Sequence, residues 1–209
     1  MPGAARSTVP LLGRFLHHLR ASAPGLDVRV QSLRRDSFQE LESGRLELAV
    51  VPDLRGVPGF EALELDRFVS RPVLTDEFVV VSRRRRPLGR REYLEADHVV
   101  TTPLGENERS AMDMALARAG LKRRVAVTVP TFTQAVLTVA QSELVATVPR
   151  LLVAGVAPRL HTARPPVQFP CPPQLLVWHP RHTTSAGHRF VREALASVAQ
   201  QCGSGPSRR

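Results

Sequence analysis

Hydroxyl-bearing and acidic residues stand beside several predicted strand ends and helix starts of this 209-residue chain. In layered α/β folds, ligands bind beyond the carboxyl ends of strands, beside helix amino ends whose free N–H groups and dipole favour an anion. Hydroxyls placed there can hydrogen-bond a carboxylate or a phenol, and a phenylalanine can form an aromatic wall. The pattern therefore predicts a small-ligand site drawn from Ser7, Thr8, Asp53, Thr101, Thr102, Thr131 and Phe132.

Each of these residues also has an alternative role that needs no ligand. Thr131 has the right type and place for a helix N-cap, whose side-chain oxygen accepts a backbone N–H. Phe132 is equally suited to a hydrophobic core, and Asp53 to a turn. Ser7 and Thr8 have the alternative of belonging to an unstructured terminus. The sequence alone leaves both interpretations open for every one of them.

No enzyme chemistry, cofactor or metal site is indicated elsewhere in the sequence. It contains no GxGxxG fingerprint, P-loop or GxSxG elbow. His179, His182 and His188 lack a cysteine or aspartate at metal-ligand spacing. Four carboxylates stand in two close pairs, Asp76/Glu77 and Glu106/Glu108. We expect both pairs to be solvated, so the sequence marks no general acid and base. We therefore expect a binding protein and not an enzyme.

The positive charge of the chain raises the question of nucleic-acid binding. There are 29 basic and 19 acidic residues, a net charge of +10, and neutralisation of phosphates by such residues dominates nucleic-acid affinity. However, Lys122 is the one lysine, and the arginines are spread from Arg6 to Arg209, which suggests genomic base composition. The run Arg83–Arg86 follows a predicted strand and precedes Pro87, so we favour a solvated turn over a nucleic-acid contact.

Neither export nor membrane insertion is predicted. The first 25 residues carry three arginines, and two histidines interrupt the apolar stretch, which is unlike a signal peptide. No window approaches the roughly 18–20 apolar residues of a membrane span. Cys171 and Cys202 lack CxxC spacing, and in the cytoplasm that we expect for this chain they would be free thiols.

Strand and helix patterns alternate along the chain, which predicts an α/β fold. The helices are predicted at 11–20, 37–42, 109–120 and 132–142, with a final helix after Ser185. The strands are predicted at 27–33, 46–51, 63–68, 77–82, 98–101, 124–129, 144–148 and 175–178. We expect two α/β lobes joined by two crossing segments, with residues 1–70 and 170–209 in lobe I and residues 71–169 in lobe II. A cleft between two lobes is a common place for a small ligand.

Several segments together resemble the effector domain of LysR-type transcriptional regulators. Residues 41–50, LESGRLELAV, are similar to the LxxGxLDLAI segment of that family. Residues 76–88 resemble its crossing strand and HPL turn, and residues 144–150, LVATVPR, match in order and spacing. Residues 178–192 resemble the WHPR…HRWLR close of a subgroup with nodulation and aromatic-catabolism regulators. The ordered matches cover about residues 11–198.

The resemblance implies a bilobal fold of the type 2 periplasmic-binding-protein kind that senses a small, plausibly aromatic, organic acid between its lobes. In the family, the segments that contain Thr101, Thr102, Thr131 and Phe132 line the effector pocket. Helices like 11–20 and 109–120 pack antiparallel in family dimers, so we expect a homodimer or tetramer. No membrane partner, metal or cofactor is implied.

The sequence departs from the family at its amino end. Neither the winged helix-turn-helix nor the linker helix is present, and the first strand is missing or replaced by residues 1–6. We therefore expect contact with operator DNA only through a domain that is missing from this chain. Two alternatives stay open: a stand-alone small-molecule binding module, and a truncated remnant without function. A transport-type binding protein or an enzyme on the same fold is disfavoured by the lack of a signal sequence and of catalytic groups.

Overall fold

The computed structural model describes residues 8–31, 33–34, 36–53, 55, 65–85, 88–101, 111–169 and 171–203. The helices are α1 Thr8–Ser22, α2 Ser37–Ser43, α3 Arg90–Glu95, α4 Ala111–Arg118, α5 Phe132–Ala140, α6 Arg150–Val156 and α7 Ala186–Gly203. The strands are β1 Ala49–Pro52, β2 Val69–Leu74, β3 Phe78–Ser82, β4 Asp97–Thr101, β5 Arg124–Val129, β6 Val145–Pro149, β7 His161–Ala163 and β8 Gln174–Trp178. The mixture of helices and strands confirms the predicted α/β class.

The chain forms two compact units, and each has its own sheet. One unit consists of Leu11–Thr75 and Pro172–Arg209 and contains a three-stranded sheet. The other consists of Asp76–Cys171 with Met1–Pro10 and contains a five-stranded sheet. We call them the three-stranded unit and the five-stranded unit. The chain passes between them three times, at 10/11, 75/76 and 171/172.

The three-stranded unit is built around β8. This strand pairs antiparallel with β1 on one side and with β2 on the other. Leu175, Leu176 and Val177 of β8 are fully buried, and removing such a side chain from water contributes roughly 1.5–3 kcal/mol. Leu41 of α2 and Val51 of β1 pack in the same core. The last strand in the sequence is therefore the centre of this sheet.

Two predicted strands of this unit are wrong. Residues 27–31 form no strand, and Val28 and Val30 are 37% and 64% exposed. Alternating side chains are not sufficient for a strand, which also needs a neighbour for its N–H and C=O groups. In the segment predicted as strand 63–68, residues 65–67 form a 3-10 turn. The strand β2 follows it and includes Pro72, which sits at a register irregularity on an outer strand, where proline is tolerated.

The five-stranded unit has the strand order β5-β4-β6-β3-β7. The strand β4 pairs parallel with β5 and β6, whereas β3 pairs antiparallel with β6 and β7. The strands β3 and β6 are buried along their whole length, as expected where helices cover a sheet. The helix α5 buries its apolar face against this sheet through Ala135, Val136 and Val139.

A buried polar network ties α3 to the sheet of the five-stranded unit. The hydroxyl of Tyr93 lies 3.0 Å from that of Thr147, and it accepts a hydrogen bond from Arg123 at 3.2 Å. Arg123 also pairs with Asp113 of α4 at 2.8 Å. The Nε2–H of His98 donates to the Tyr93 carbonyl at 2.7 Å, and burial lowers the pKa of His98 to about 4. His98 is therefore neutral near pH 7 and has a structural role.

In the three-stranded unit, the buried guanidinium of Arg192 anchors α7. It donates to the carbonyls of His182 and Thr183 at 2.9 and 3.1 Å, and to Nδ1 of His188 at 2.7 Å. Its carbon Cζ lies 4.5 Å from the ring centroid of Trp178. A guanidinium has only N–H donors, so Nδ1 of His188 must accept and therefore carries no proton. The other ring nitrogen, Nε2, then donates to the Glu47 carbonyl at 3.0 Å.

His182 lies in the same cluster. Its ring stacks on that of His188, with centroids 4.8 Å apart and planes 3° apart. Its Nε2 atom is buried and has no hydrogen-bond partner among the described residues. Burial is the largest cause that lowers the pKa of His182, and the charge of Arg181 acts in the same direction, whereas Glu47 acts in the opposite direction. The folded state therefore binds protons less readily here than the unfolded chain.

We expect the three-stranded unit to lose stability below about pH 6.5, the ordinary pKa of histidine, because protons then bind preferentially to the unfolded chain. In His182→Phe an aromatic ring still stacks on His188, but position 182 no longer carries a titrating group. This variant should therefore lose less stability between pH 7.5 and pH 5.5 than the parent. Urea midpoints at the two pH values measure the loss. His18→Gln, at an exposed position of α1, is the control, and equal losses in the parent and His182→Phe would contradict the interpretation.

Candidate ligand-binding site

Thr101 and Thr131 lie at the same edge of the sheet in the five-stranded unit. The parallel pairing of β4 and β5 places Thr101 opposite Val129, and Thr131 follows two residues later. Thr101 is the last residue of β4 and is 7% exposed. We call this the carboxyl edge, because β4, β5 and β6 all end there.

Thr131 begins α5 and fills the N-cap role that the sequence also allowed. Its Oγ1 accepts the N–H of Gln134 at 3.2 Å and lies 3.2 Å from the Gln134 side-chain oxygen. An anion that approaches this turn would meet the positive end of the helix dipole.

Phe132 lies in the core of the five-stranded unit. It is 5% exposed, and its ring centroid is 6.0 Å from that of Phe78, with the planes tilted by 44°. This position agrees with its alternative role as a core residue. Its predicted part as an aromatic wall stays a prediction.

Asp53 lies in the three-stranded unit, directly after β1. Its N–H donates to the Pro173 carbonyl at 2.8 Å, which holds the start of this turn. Its carboxylate accepts two hydrogen bonds from the guanidinium of Arg55, at 2.8 and 2.7 Å. The hydrogen bonds from Arg55 are the main cause that lowers the pKa of Asp53. The observed contacts are those of a turn, and the ligand role of Asp53 stays a prediction.

The remaining predicted site residues are at or beyond the limits of the described chain. Thr8 is the first residue of α1, and Ser7 and Thr102 lie outside the described residues, as do Glu106 and Glu108. Their roles stay predictions.

Asp76 is a residue of the carboxyl edge that the sequence analysis missed. Its carboxylate accepts the N–H of Glu77 at 2.8 Å and that of Leu151, in α6, at 3.3 Å. Burial is the largest influence on it and raises its pKa to about 6. The expectation that Asp76 is solvated is therefore wrong, whereas Glu77 is exposed and pairs with Arg150 at 2.5 Å. The antiparallel register that sets Phe78 opposite Pro149 brings α6 to Asp76.

The model of the LysR substrate binding domain matches residues 3–200. The chain belongs to this family. Its resemblance to LysR-type regulators, inferred from sequence segments, is thereby confirmed, and members of the family are transcriptional regulators and not enzymes.

Relatives and solved structures agree with the family. The HTH-type transcriptional regulator SyrM of Rhizobium meliloti (strain 1021) is 28% identical over 202 residues, which cover 93% of this chain and 60% of SyrM. A probable transcriptional regulator from Pseudomonas aeruginosa superposes with a TM-score of 0.73 at 28% identity, covering 92% of this chain and 63% of that chain. The chain thus spans about three fifths of the length of these two proteins.

A third similarity supports the fold alone. The regulatory domain of CcmR from Synechocystis PCC6803, solved in complex with 2-PG, has a TM-score of 0.71 at 14% identity and covers 95% of both chains. LysR regulatory domains have the bilobal periplasmic-binding-protein-like fold, so the predicted fold is confirmed. In the part of the domain that the structure describes, no helix is long and apolar enough to cross a membrane. No group of three possible metal ligands occurs there.

In this LysR domain, we expect Asp76→Asn to raise stability at neutral pH. The parent carries a partly buried charge at pH 7.5, whereas asparagine keeps an acceptor oxygen without the charge. Because the folded-state pKa of about 6 exceeds the ordinary value of 3.8, the gain should be about 1–3 kcal/mol at pH 7.5 and should vanish below about pH 4.

Asp53→Asn is the matched control, because its shift has the opposite sign. A lowered folded-state pKa means that the Asp53 carboxylate stabilises the fold above pH 3.8. This variant should therefore be less stable than the parent at pH 7.5, with a deficit that shrinks in acid. Urea unfolding from pH 4 to pH 8 measures both variants, and destabilisation by Asp76→Asn at pH 7.5 would rule out our account of Asp76.

Proposed function

We propose that this LysR domain senses a small organic acid, with an aromatic acid as the favoured class, at the carboxyl edge of the five-stranded unit. The observation that carries the proposal is the parallel register of β4 and β5, which brings the buried residue Thr101 to the same edge as the first turn of α5. Threonine hydroxyls beside the positive end of a helix dipole suit a carboxylate.

The charges at the carboxyl edge favour an anionic ligand. The first turn of α5 contains no acidic residue. The two carboxylates on the β3 side are already engaged, since Glu77 pairs with Arg150 and Asp76 accepts two backbone N–H groups. No described carboxylate in the first turn of α5 therefore offsets the positive end of its helix dipole. The 2-PG in the CcmR structure also supports a small effector.

We further propose that the two units are the two lobes of the sensor, and that effector binding favours one arrangement of the domain through differential affinity. The division predicted as residues 1–70 with 170–209 and residues 71–169 belongs to this proposal, as does a ligand between the lobes. Control of transcription in the cytoplasm by the whole protein is proposed by analogy with its relatives, which are regulators.

Effector binding can be tested by thermal shift and titration calorimetry. Benzoate, hydroxybenzoates and short aliphatic carboxylates are the probes, and at least one aromatic acid should raise the melting temperature. Thr101→Val, which removes only the hydroxyl, and Thr131→Ala should each weaken that acid about tenfold, the equivalent of one hydrogen bond of about 1.4 kcal/mol.

The controls separate the site from general stability. Thr101→Ser keeps a hydroxyl and should bind as the parent does, and Thr162→Val changes an exposed threonine of β7 in the same unit. Thr131→Ala also removes an N-cap and lowers the melting temperature without ligand by itself, so affinity is the relevant measurement. No stabilisation by any acid, or unchanged affinity in Thr101→Val, would refute the proposed site.

We also propose that the domain forms a homodimer through its exposed valines. Val125 and Val127 of the outer strand β5 are 45% and 36% exposed, and Val28 and Val30 are also exposed. In a two-fold dimer the same contact occurs twice, because such interfaces are isologous. Val125 and Val127 of each copy can then cover Val28 and Val30 of the partner copy. Unpaired backbone groups of β5 add a means of strand contact.

The dimer proposal predicts the effect of one charge. Val127→Arg places a cation in the apolar contact and should convert a dimer into a monomer, measured by light scattering during size-exclusion chromatography at about 50 µM protein. Leu137→Arg is the control at another exposed apolar position of the same unit. A monomeric parent at this concentration, or a Val127→Arg variant that stays dimeric, would contradict the assignment.

A further inference from the structure

We propose that the edge of the five-stranded sheet opposite the carboxyl edge binds the phosphate backbone of duplex DNA without reading its sequence. The registers bring residues distant in sequence to this edge. Ser82 lies opposite Val145 and His161, and Asp97 lies opposite Arg124. The basic residues beside these strand ends define what we call the basic edge: Arg83, Arg84, Arg85, Lys122, Arg124 and Arg159.

The basic edge keeps a surplus of positive charge after its ion pairs are counted. Asp97 pairs with Arg124 at 2.5 Å, and Glu143 pairs with both Arg83 and Arg84. Glu95, just before β4, is paired with Arg91 at 2.9 Å. Six basic side chains thus share two carboxylates, Asp97 and Glu143, which leaves a surplus of four positive charges among the described residues of this edge. Exposed ion pairs of this kind are weak, so phosphates can compete for the arginines.

The basic side chains reach into solvent, as phosphate contacts require. The side chains of Arg83, Arg84 and Arg124 are 52%, 68% and 72% exposed. Arg85, Lys122 and Arg159 are exposed as well. Five neighbouring strands span about 19 Å at roughly 4.8 Å per step. That length corresponds to about five or six base pairs of duplex at 3.4 Å each.

The surroundings of the basic edge favour duplex phosphates over a protein partner. Leu121, Leu144 and Leu160, which adjoin its basic residues, are partly buried against the core. Protein interfaces usually depend on a desolvated apolar or aromatic centre, and this edge offers none in the described chain. Val125, the nearest exposed apolar residue, belongs to the β5 surface assigned above to the dimer.

Single-stranded nucleic acid is disfavoured by the aromatic residues. Proteins that hold single strands stack bases on exposed aromatic rings. The one tryptophan and the one tyrosine of the chain, Trp178 and Tyr93, are both buried. An array of guanidinium groups without a stacking surface suits the regular phosphates of a duplex.

The experiment is fluorescence anisotropy of two labelled 20-base-pair DNA duplexes of unrelated sequence, titrated with the 209-residue chain at 50–200 mM NaCl. Both duplexes should bind equally. About four phosphate contacts give a slope of log affinity against log salt near −3.6, so affinity should fall about 100-fold across this range.

The test variant neutralises three of the exposed basic residues that carry no ion pair within the described ranges: Arg85→Gln, Lys122→Gln and Arg159→Gln. Loss of three contacts should reduce the steepness of the slope by about 2.7 and weaken binding at 50 mM NaCl by at least about tenfold. The control variant, Arg14→Gln, Arg29→Gln and Arg45→Gln, changes three exposed arginines of the three-stranded unit. It has the same net charge as the test variant and should keep nearly the parent slope.

Several outcomes would overturn the proposal. One is no binding of either duplex at 50 mM NaCl, and another is an equal loss in both triple variants, which would mean that total charge alone is responsible. Binding to vesicles with 30% phosphatidylserine but not to duplex would assign the edge to membranes instead. Arg85→Lys with Arg159→Lys keeps the charges and should retain the parent slope. It provides the comparison if the glutamine variant melts at a lower temperature.

Discussion

Pairing of β4 with its two parallel neighbours is the constraint on which the functional geometry depends. Hydrogen bonds from β4 to β5 and β6 fix the register of three strands at once. A parallel register places all strand starts at one edge and all strand ends at the other. It therefore decides that Thr101 and Thr131 share an edge and that Lys122 and Arg124 are at the opposite one.

The sequence was sufficient wherever a local pattern determined the structure. Val125, Val127 and Val129 recur at every second position and form β5, and Thr131 and Phe132 mark the start of α5 as predicted. The family resemblance extended the prediction to the whole fold, because ordered segments from 11 to 198 constrain the topology more than any single strand pattern does.

The failures have one physical cause, which is that partners distant in sequence decide the outcome. Val28 and Val30 alternate like strand residues but pair with no strand among the described residues, and both are exposed. Asp76 lies in a polar stretch, but α6 arrives beside it through the register of β3 and β6, and its pKa rises.

The place of β8 in the chain has a consequence for biosynthesis. The five-stranded sheet comes from the uninterrupted stretch Asp76–Cys171, so its strands are all available once that stretch has left the ribosome. The central strand of the other sheet follows that stretch and pairs with β1, more than 120 residues upstream. Because domains generally acquire structure as their segments emerge, β1 and β2 wait without their common neighbour until Gln174–Trp178 has been synthesised. During that interval their open edges are exposed to chaperones and to other nascent chains.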